Sequence, residues 1–135
     1  MPVVKCEGLS DYKLPEPLDR NWYDLIIQNA NSINEDRFAV NLMVTDGPTQ
    51  GDESDPTGRK FGAFFTNGGY ENHKDKGEYA KRLLVEFLLA VGIDYETDEF
   101  ELDDLIDREF VGYVKPKPDN DGVIRENLTM SKPKE

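Results

Sequence analysis

Residues 75–91 read DKGEYAKRLLVEFLLAV, and where this segment falls among the strands decides the fold. Tyr79, Leu83, Phe87 and Val91 recur at steps of four, and Ala80, Leu84 and Leu88 form the adjacent row. That spacing predicts a helix with one apolar face turned to a core. Asp75 is the expected N-cap, with Glu78 three residues on completing a capping box. Gly92 suits the left-handed position beyond the helix end. The stripe reads as core rather than as a cofactor site.

Upstream, three segments carry the two-residue period of strands. Trp22–Gln28 places Tyr23, Leu25 and Ile27 on one face and Trp22, Asp24, Ile26 and Gln28 on the other. Asn29–Asp36 reads as a turn region. In Arg37–Thr45, Phe38, Val40, Leu42 and Val44 alternate with Ala39, Asn41 and Met43, so these first two strands should pair antiparallel. Residues 46–58, DGPTQGDESDPTG, are a loop by their Gly, Pro and Asp content. Arg59–Thr66 is the third strand, with Phe61, Ala63 and Phe65 on one side.

Downstream, Leu102–Ile106 predicts a short helical turn, and Arg108–Pro116 a fourth strand. The DNDG turn at 119–122 leads into a fifth strand, Val123–Leu128. The chain is therefore mainly β with one helix, three strands before it and two after. A five-stranded, partly open OB-like barrel has its helix between strands 3 and 4. Another small β-barrel or an open α+β sheet shares the order. Residues 1–20, with Pro2, Pro15 and Pro17, read as an extended N-terminal arm, of which Pro2–Leu9 is a candidate edge strand. Residues 21–128 form the single domain, and 129–135, TMSKPKE, a short frayed polar tail.

At 135 residues the chain has room for one core. No apolar run reaches the roughly 20 residues of a membrane helix. The first residues lack a signal-peptide core, so a soluble, cytoplasmic protein without a membrane partner is expected. Cys6, the lone cysteine, excludes an internal disulfide and reads as a small buried hydrophobe. His73, the lone histidine, reads as an exposed loop residue. There is no phosphate-binding glycine loop, no paired cysteines and no H-E-x-x-H. No catalytic residue, metal site or cofactor is expected.

The net charge is -12, but it is not spread evenly. Residues 94–109 hold nine acids against Arg108, a local net of -8; the other 119 residues carry only -4. The Debye length at physiological salt is about 8 Å, so a binding face on the far side would feel this block weakly. The block reads as a solvated face, as a docking surface for a basic partner, or as a nucleic-acid mimic.

Single-stranded nucleic acid is bound by cations for phosphates and aromatic rings for bases. The strands supply both. Lys60 and Phe64 share a face of the third strand, and Tyr113 and Lys115 a face of the fourth. Arg125 should lie near Lys115, with Lys117 entering the turn, Arg59 opening the third strand and Trp22 flanking the first. In a small barrel Lys60, Phe64, Tyr113, Lys115 and Arg125 would share the outer wall.

Four stretches carry a further likeness: RFAVNLMVTDGP, GRKFGAFFTNGG, RLLVEFLLAVGI and FELDDLIDREFVGYVKPKPDNDGVIREN. From about Trp22 to Leu128 the chain resembles small bacteriophage proteins, some regarded as single-stranded DNA-binding proteins with an OB-like barrel. The resemblance implies stoichiometric single-stranded DNA binding in phage replication or recombination, in the cytoplasm of an infected bacterium. In such proteins a glycine often follows the D-L-I turn, where this chain has Asp107. Bacterial single-strand binders also commonly carry an acidic C-terminal tail, which TMSKPKE is not. The internal acidic block, with Asp103, Asp104 and Asp107, is then the candidate surface for replication or recombination partners. The rival expectations are a phage-encoded inhibitor or DNA mimic that offers the acidic block to a host nucleic-acid-binding protein, and a plain assembly subunit. A homo-oligomer stays open.

Overall fold

The computed structural model describes residues 2–10, 16–96 and 98–134, with the side chains of residues 73–75 set aside. Five antiparallel strands form one sheet in the order β3-β2-β1-β4-β5. They are β1 (Asn21–Asn34), β2 (Arg37–Asp46), β3 (Lys60–Thr66), β4 (Glu109–Pro118) and β5 (Ile124–Lys132). A single α-helix, α1 (Gly77–Val91), lies between β3 and β4, as the sequence predicts. The sheet does not close, and is barrel-like at most: its two edge strands, β3 and β5, face each other across a cleft.

Alternation sorts the side chains. Tyr23, Leu25 and Ile27 of β1, Phe38, Val40, Leu42 and Val44 of β2, and Phe110 and Val114 of β4 are all buried. The inner face of α1 covers them through Leu84, Phe87, Leu88 and Val91. Phe87 sits at the centre, stacked on Phe65 at 4.4 Å and edge-on to Phe110 at 5.3 Å between centroids. Offset and edge-on rings satisfy the ring quadrupoles while burying large apolar area. Gly112 lets β4 approach this core, because a Cβ there would lie 2.5 Å from Leu128 and 2.8 Å from Leu25.

Several boundaries differ from the expected ones. The Asn-rich segment after Gln28 is strand, not turn: Ala30 pairs with Val40 and Ser32 with Phe38, and only Glu35–Asp36 turns the chain. The strongly alternating β2 templates its neighbour across three register shifts. The end of β5 is likewise strand, so 129–132 are no frayed tail and the folded domain extends past Leu128 to Lys132. Met130, Ser131 and Lys132 pair with Tyr113, Gly112 and Val111, which would otherwise present an unpaired edge. A register shift between Tyr113 and Val114 leaves Thr129 as the extra residue of a bulge.

The helix begins at Gly77 after a 3₁₀ turn, Tyr70–Lys76, and its N-cap is Lys76, without a side-chain capping bond. The expected Asp75 cap is replaced because the chain already turns as it arrives. Gly92 closes the helix at φ 77°, the left-handed position expected of it. The side chains of His73 and Asp75, and the expected extended geometry at Leu14–Pro15, lie outside the described residues. Residues 2–10 form no strand, and Val3, Val4 and Cys6 are exposed, which corrects the edge-strand and buried-cysteine expectations. Residues 2–10 are exposed throughout, so they bury no apolar face that would hold them to the sheet.

The arm reaches the domain further on. Leu18 is buried in the core, and Gln50 from the 46–58 loop is buried beneath it. Gln50 accepts from the Asp19 amide at 2.7 Å, and its Nε2 donates to the Tyr23 hydroxyl at 2.9 Å. That hydroxyl donates to the Asp19 carbonyl at 2.7 Å. Burial raises the Tyr23 phenol above its usual pKa. The loop is therefore anchored to the start of β1 within the protein alone. No helix among the described residues is long and apolar enough to cross a membrane.

Candidate nucleic-acid interface

Of the eight residues expected to bind nucleic acid, seven stand on the outward side of the strands or of the β4–β5 hairpin. They fall into two clusters joined by a basic row.

The first cluster spans β1, β4 and β5. Trp22 pairs across the ladder with Tyr113, and Tyr113 with Met130. The Trp22 and Tyr113 rings meet edge-on, with centroids 5.3 Å apart and planes at 70°. Lys132, one step along from Met130 on the same face, lies with Nζ 4.4 Å from the Trp22 ring centroid. Among the described residues Lys132 makes no ion pair. Sequence reasoning misses Met130 and Lys132, because TMSKPKE reads as a frayed tail and a bulge leaves no mark in an alternation pattern.

The second cluster lies across the open cleft between β3 and β5. Lys60, Phe64 and Arg125 all line this cleft, of about 570 Å³, with Leu83 and Leu128 at its apolar side. Phe64 is 58% exposed, which is unusual for a large apolar ring and marks a surface available for stacking. Arg37 stands over it from β2, its Cζ 5.6 Å from the ring centroid. Nothing in the sequence pointed to Arg37, since its place beside Phe64 depends on the β2–β3 register that sets Ala39 opposite Phe64.

Between the clusters runs the β4–β5 hairpin. Tyr113, Lys115 and Lys117 alternate along β4, and Lys115 and Lys117 are exposed. Arg125 sits opposite Lys117, not beside Lys115, whose partner is Asn127. The turn after Pro118 sets this register, which runs unbroken from Pro118–Ile124 to Val114–Leu128. Arg125 also donates to Asp119 at 2.8 Å. That hydrogen bond holds the Asp119 carboxyl below its usual pKa and raises that of Arg125.

Arg59 is the exception. Its guanidinium donates to the Glu16 carbonyl at 2.8 Å and to Glu126 at 3.2 Å, tying the arm to β5. Its side chain is only 22% exposed. Arg59 therefore straps segments of the fold together and does not stand outward with the other seven.

The acidic block stands elsewhere. A short 3₁₀ turn, Leu102–Leu105, packs against β1 through buried Leu105 and leaves Asp103 and Asp104 exposed. Asp107 is exposed at φ 69° and donates its amide to the Ile27 carbonyl at 2.7 Å. Asp107 thus holds a left-handed position, which aspartate tolerates better than most residues. Arg108 spends its guanidinium on two backbone carbonyls, of Asp104 at 2.6 Å and Val91 at 2.9 Å. It therefore clamps the block to the helix end. Trp22 and Ile27 are five residues apart on β1, which puts this turn roughly 16 Å along the strand from the first cluster.

A larger cavity, of about 720 Å³, lies between the β1–β2 hairpin, α1 and residues 95–102, and none of the expected site residues lines it. Among the described residues, no three His, Cys, Asp or Glu side chains are grouped to hold a metal ion. No protein-family model matches the chain, and no curated protein matches it.

Proposed function

We propose that this protein binds single-stranded DNA stoichiometrically, through the outward rings and cations of its sheet, in phage DNA replication or recombination. The observation that carries the proposal is the pairing of each outward ring cluster with a cation from a neighbouring strand, Lys132 at Trp22 and Arg37 at Phe64. Rings accept bases of any sequence, and cations answer the phosphates between them. Lys115 and Lys117 continue the basic row from one cluster toward the other. A duplex keeps its bases stacked on each other and offers these rings no free face. The strand order, with the helix between β3 and β4, supports an OB-like barrel as the carrier.

A titration with fluorescent oligo-dT and with a duplex of matched length tests the proposal. Tighter binding of the single strand, weakening as salt rises, is the expected result. Equal binding of both, or none at low salt, rejects it.

A second reading has its own observation. Asp103, Asp104 and Asp107 are exposed, and the only base in their block is spent on backbone carbonyls. That surface suits a basic protein partner, either a replication or recombination protein or a host nucleic-acid-binding protein that the chain would inhibit. Replacing the three aspartates with asparagine should abolish capture of such a partner and change oligo-dT affinity less than about twofold, because exposed charges beyond a Debye length are screened.

A further inference from the structure

We infer that Lys132 works in two positions: it caps the Trp22 ring in the free protein and turns to a phosphate when a base takes its place on the ring. The inference rests on the single-strand reading above and adds an exchange step to it.

The geometry limits what can happen at this ring. An ammonium 4.4 Å from the indole centroid occupies the layer where a stacked base would lie. Tyr113 already meets the indole edge-on at 5.3 Å. A base therefore reaches the covered face only by displacing Lys132.

Lys132 is also built to leave. The other outward cations of β5 and its extension are held by carboxylates, Arg125 by Asp119 at 2.8 Å and Lys134 by Glu109 at 3.1 Å. Lys132 is exposed and has no such partner among the described residues. A cation over an exposed ring is held weakly, by the ring quadrupole alone. Its stem is long and flexible, so the ammonium can swing without moving the strand. Once displaced, it stands beside the base that displaced it, within reach of that nucleotide's phosphate. The ring thus keeps its cation close at hand, and arrival of the base frees the charge that the phosphate needs.

Trp22 is the only tryptophan in the chain, so intrinsic fluorescence reports on this position without interference. The test is Lys132→Met, which keeps an apolar stem of similar length and removes the charge, with Lys132→Arg as the conservative control. In free protein, a cation over the ring attracts iodide and repels caesium. The ratio of caesium to iodide quenching should therefore rise in Lys132→Met and stay near the wild-type value in Lys132→Arg. With oligo-dT, Lys132→Met should bind several-fold more weakly at low salt and as tightly as wild type, or more tightly, at high salt. The slope of log affinity against log salt should flatten by about 0.7, one single-strand phosphate contact, and Lys132→Arg should restore it.

An unchanged quenching ratio would show that no cap exists and overturn the inference. An equal loss of affinity at every salt, with an unchanged slope, would make Lys132 a prop for Trp22 and overturn it as well. If wild-type protein binds no oligo-dT while the quenching ratio still responds, the single-strand reading has failed, and the two-position role falls with it. Matching thermal melting curves for the variants exclude misfolding as the cause of any change.

Discussion

The two ring clusters use the same ingredients under different constraint. Trp22 is half-buried, braced by Tyr113 from the next strand and covered by a lysine. Phe64 is 58% exposed on an edge strand, lies over an open cleft, and has an arginine over its ring at the longer distance of 5.6 Å. The first is a rigid platform whose face is occupied; the second is an accessible platform with room beside it. Indole offers a larger stacking area than phenyl, but its cover must first be displaced. Ring type alone therefore does not rank the two clusters, and the neighbouring cation has to be counted with each ring.

The sharpest way to break this comparison is to remove both rings. Trp22→Ala and Phe64→Ala should each cost about 1–3 kcal/mol of oligo-dT affinity. The two losses should add within about 0.5 kcal/mol, because the clusters share no contact. Isothermal titration of the two single variants and the double variant checks this, and strong non-additivity would mean that the clusters act as one.

Stability offers a second lever, specific to the Trp22 side. Gln50→Ala removes the acceptor of the Asp19 amide and a donor to the Tyr23 hydroxyl, next to Trp22 on β1. It should destabilise the fold by about 1–3 kcal/mol in urea and disturb the Trp22 emission while leaving Phe64→Ala energetics as they were. Raising pH should act in the same direction. The Tyr23 phenol titrates higher in the folded state than in the unfolded chain, so its contribution is complete below the usual tyrosine pKa and is lost as pH climbs through the raised value. A stability curve flat across that alkaline range would contradict this.

The lysine row between the clusters comes next. Lys115→Ala with Lys117→Ala should flatten the salt dependence by about 1.4, two phosphate contacts on a single strand, with melting temperature unchanged. A long oligonucleotide should feel this loss, whereas one too short to leave the first cluster should not. The smallest effect is expected at Asp119→Asn, which releases Arg125 into the Phe64 cleft and should strengthen low-salt binding by about twofold. Because Arg125 holds the Asp119 carboxyl below its usual pKa, wild-type protein should show no matching gain as pH falls to the usual aspartate value. The gain should emerge only as pH drops through that lowered value.

Much of the architecture could be read from periodicity. The stripe through Leu83, Phe87 and Val91 predicts the helix, although its first member, Tyr79, is exposed rather than core, and Phe38–Val44 predicts the strand that templates the sheet, because burial on one face imposes a period on the chain. The outward positions of Lys60, Phe64, Tyr113 and Lys115 followed from the same alternation. What escaped was whatever depends on register between distant segments. Arg37 meets Phe64, and Lys132 meets Trp22, only through pairings that no single segment encodes. Arg59 looked like a free cation because its partners, Glu16 and Glu126, are 43 and 67 residues away. The Asn-rich end of β1 was hidden for a related reason: asparagine favours turns locally, and a strong neighbouring strand overrides that preference.

The bulge at Thr129 has a further consequence. Thr129 and Met130 together stand opposite Tyr113, so the bulge absorbs one surplus residue and keeps Leu128 inward with Met130 and Lys132 outward. Deleting Thr129 alone would restore plain alternation and leave Met130 and Lys132 facing out. Deleting Thr129 and Met130 together would send Ser131 out to water and turn Lys132 inward among the packed apolar groups. Tolerance to deletions here should therefore depend on whether their number is odd or even, a constraint on the gene that the identity of the residues themselves does not reveal.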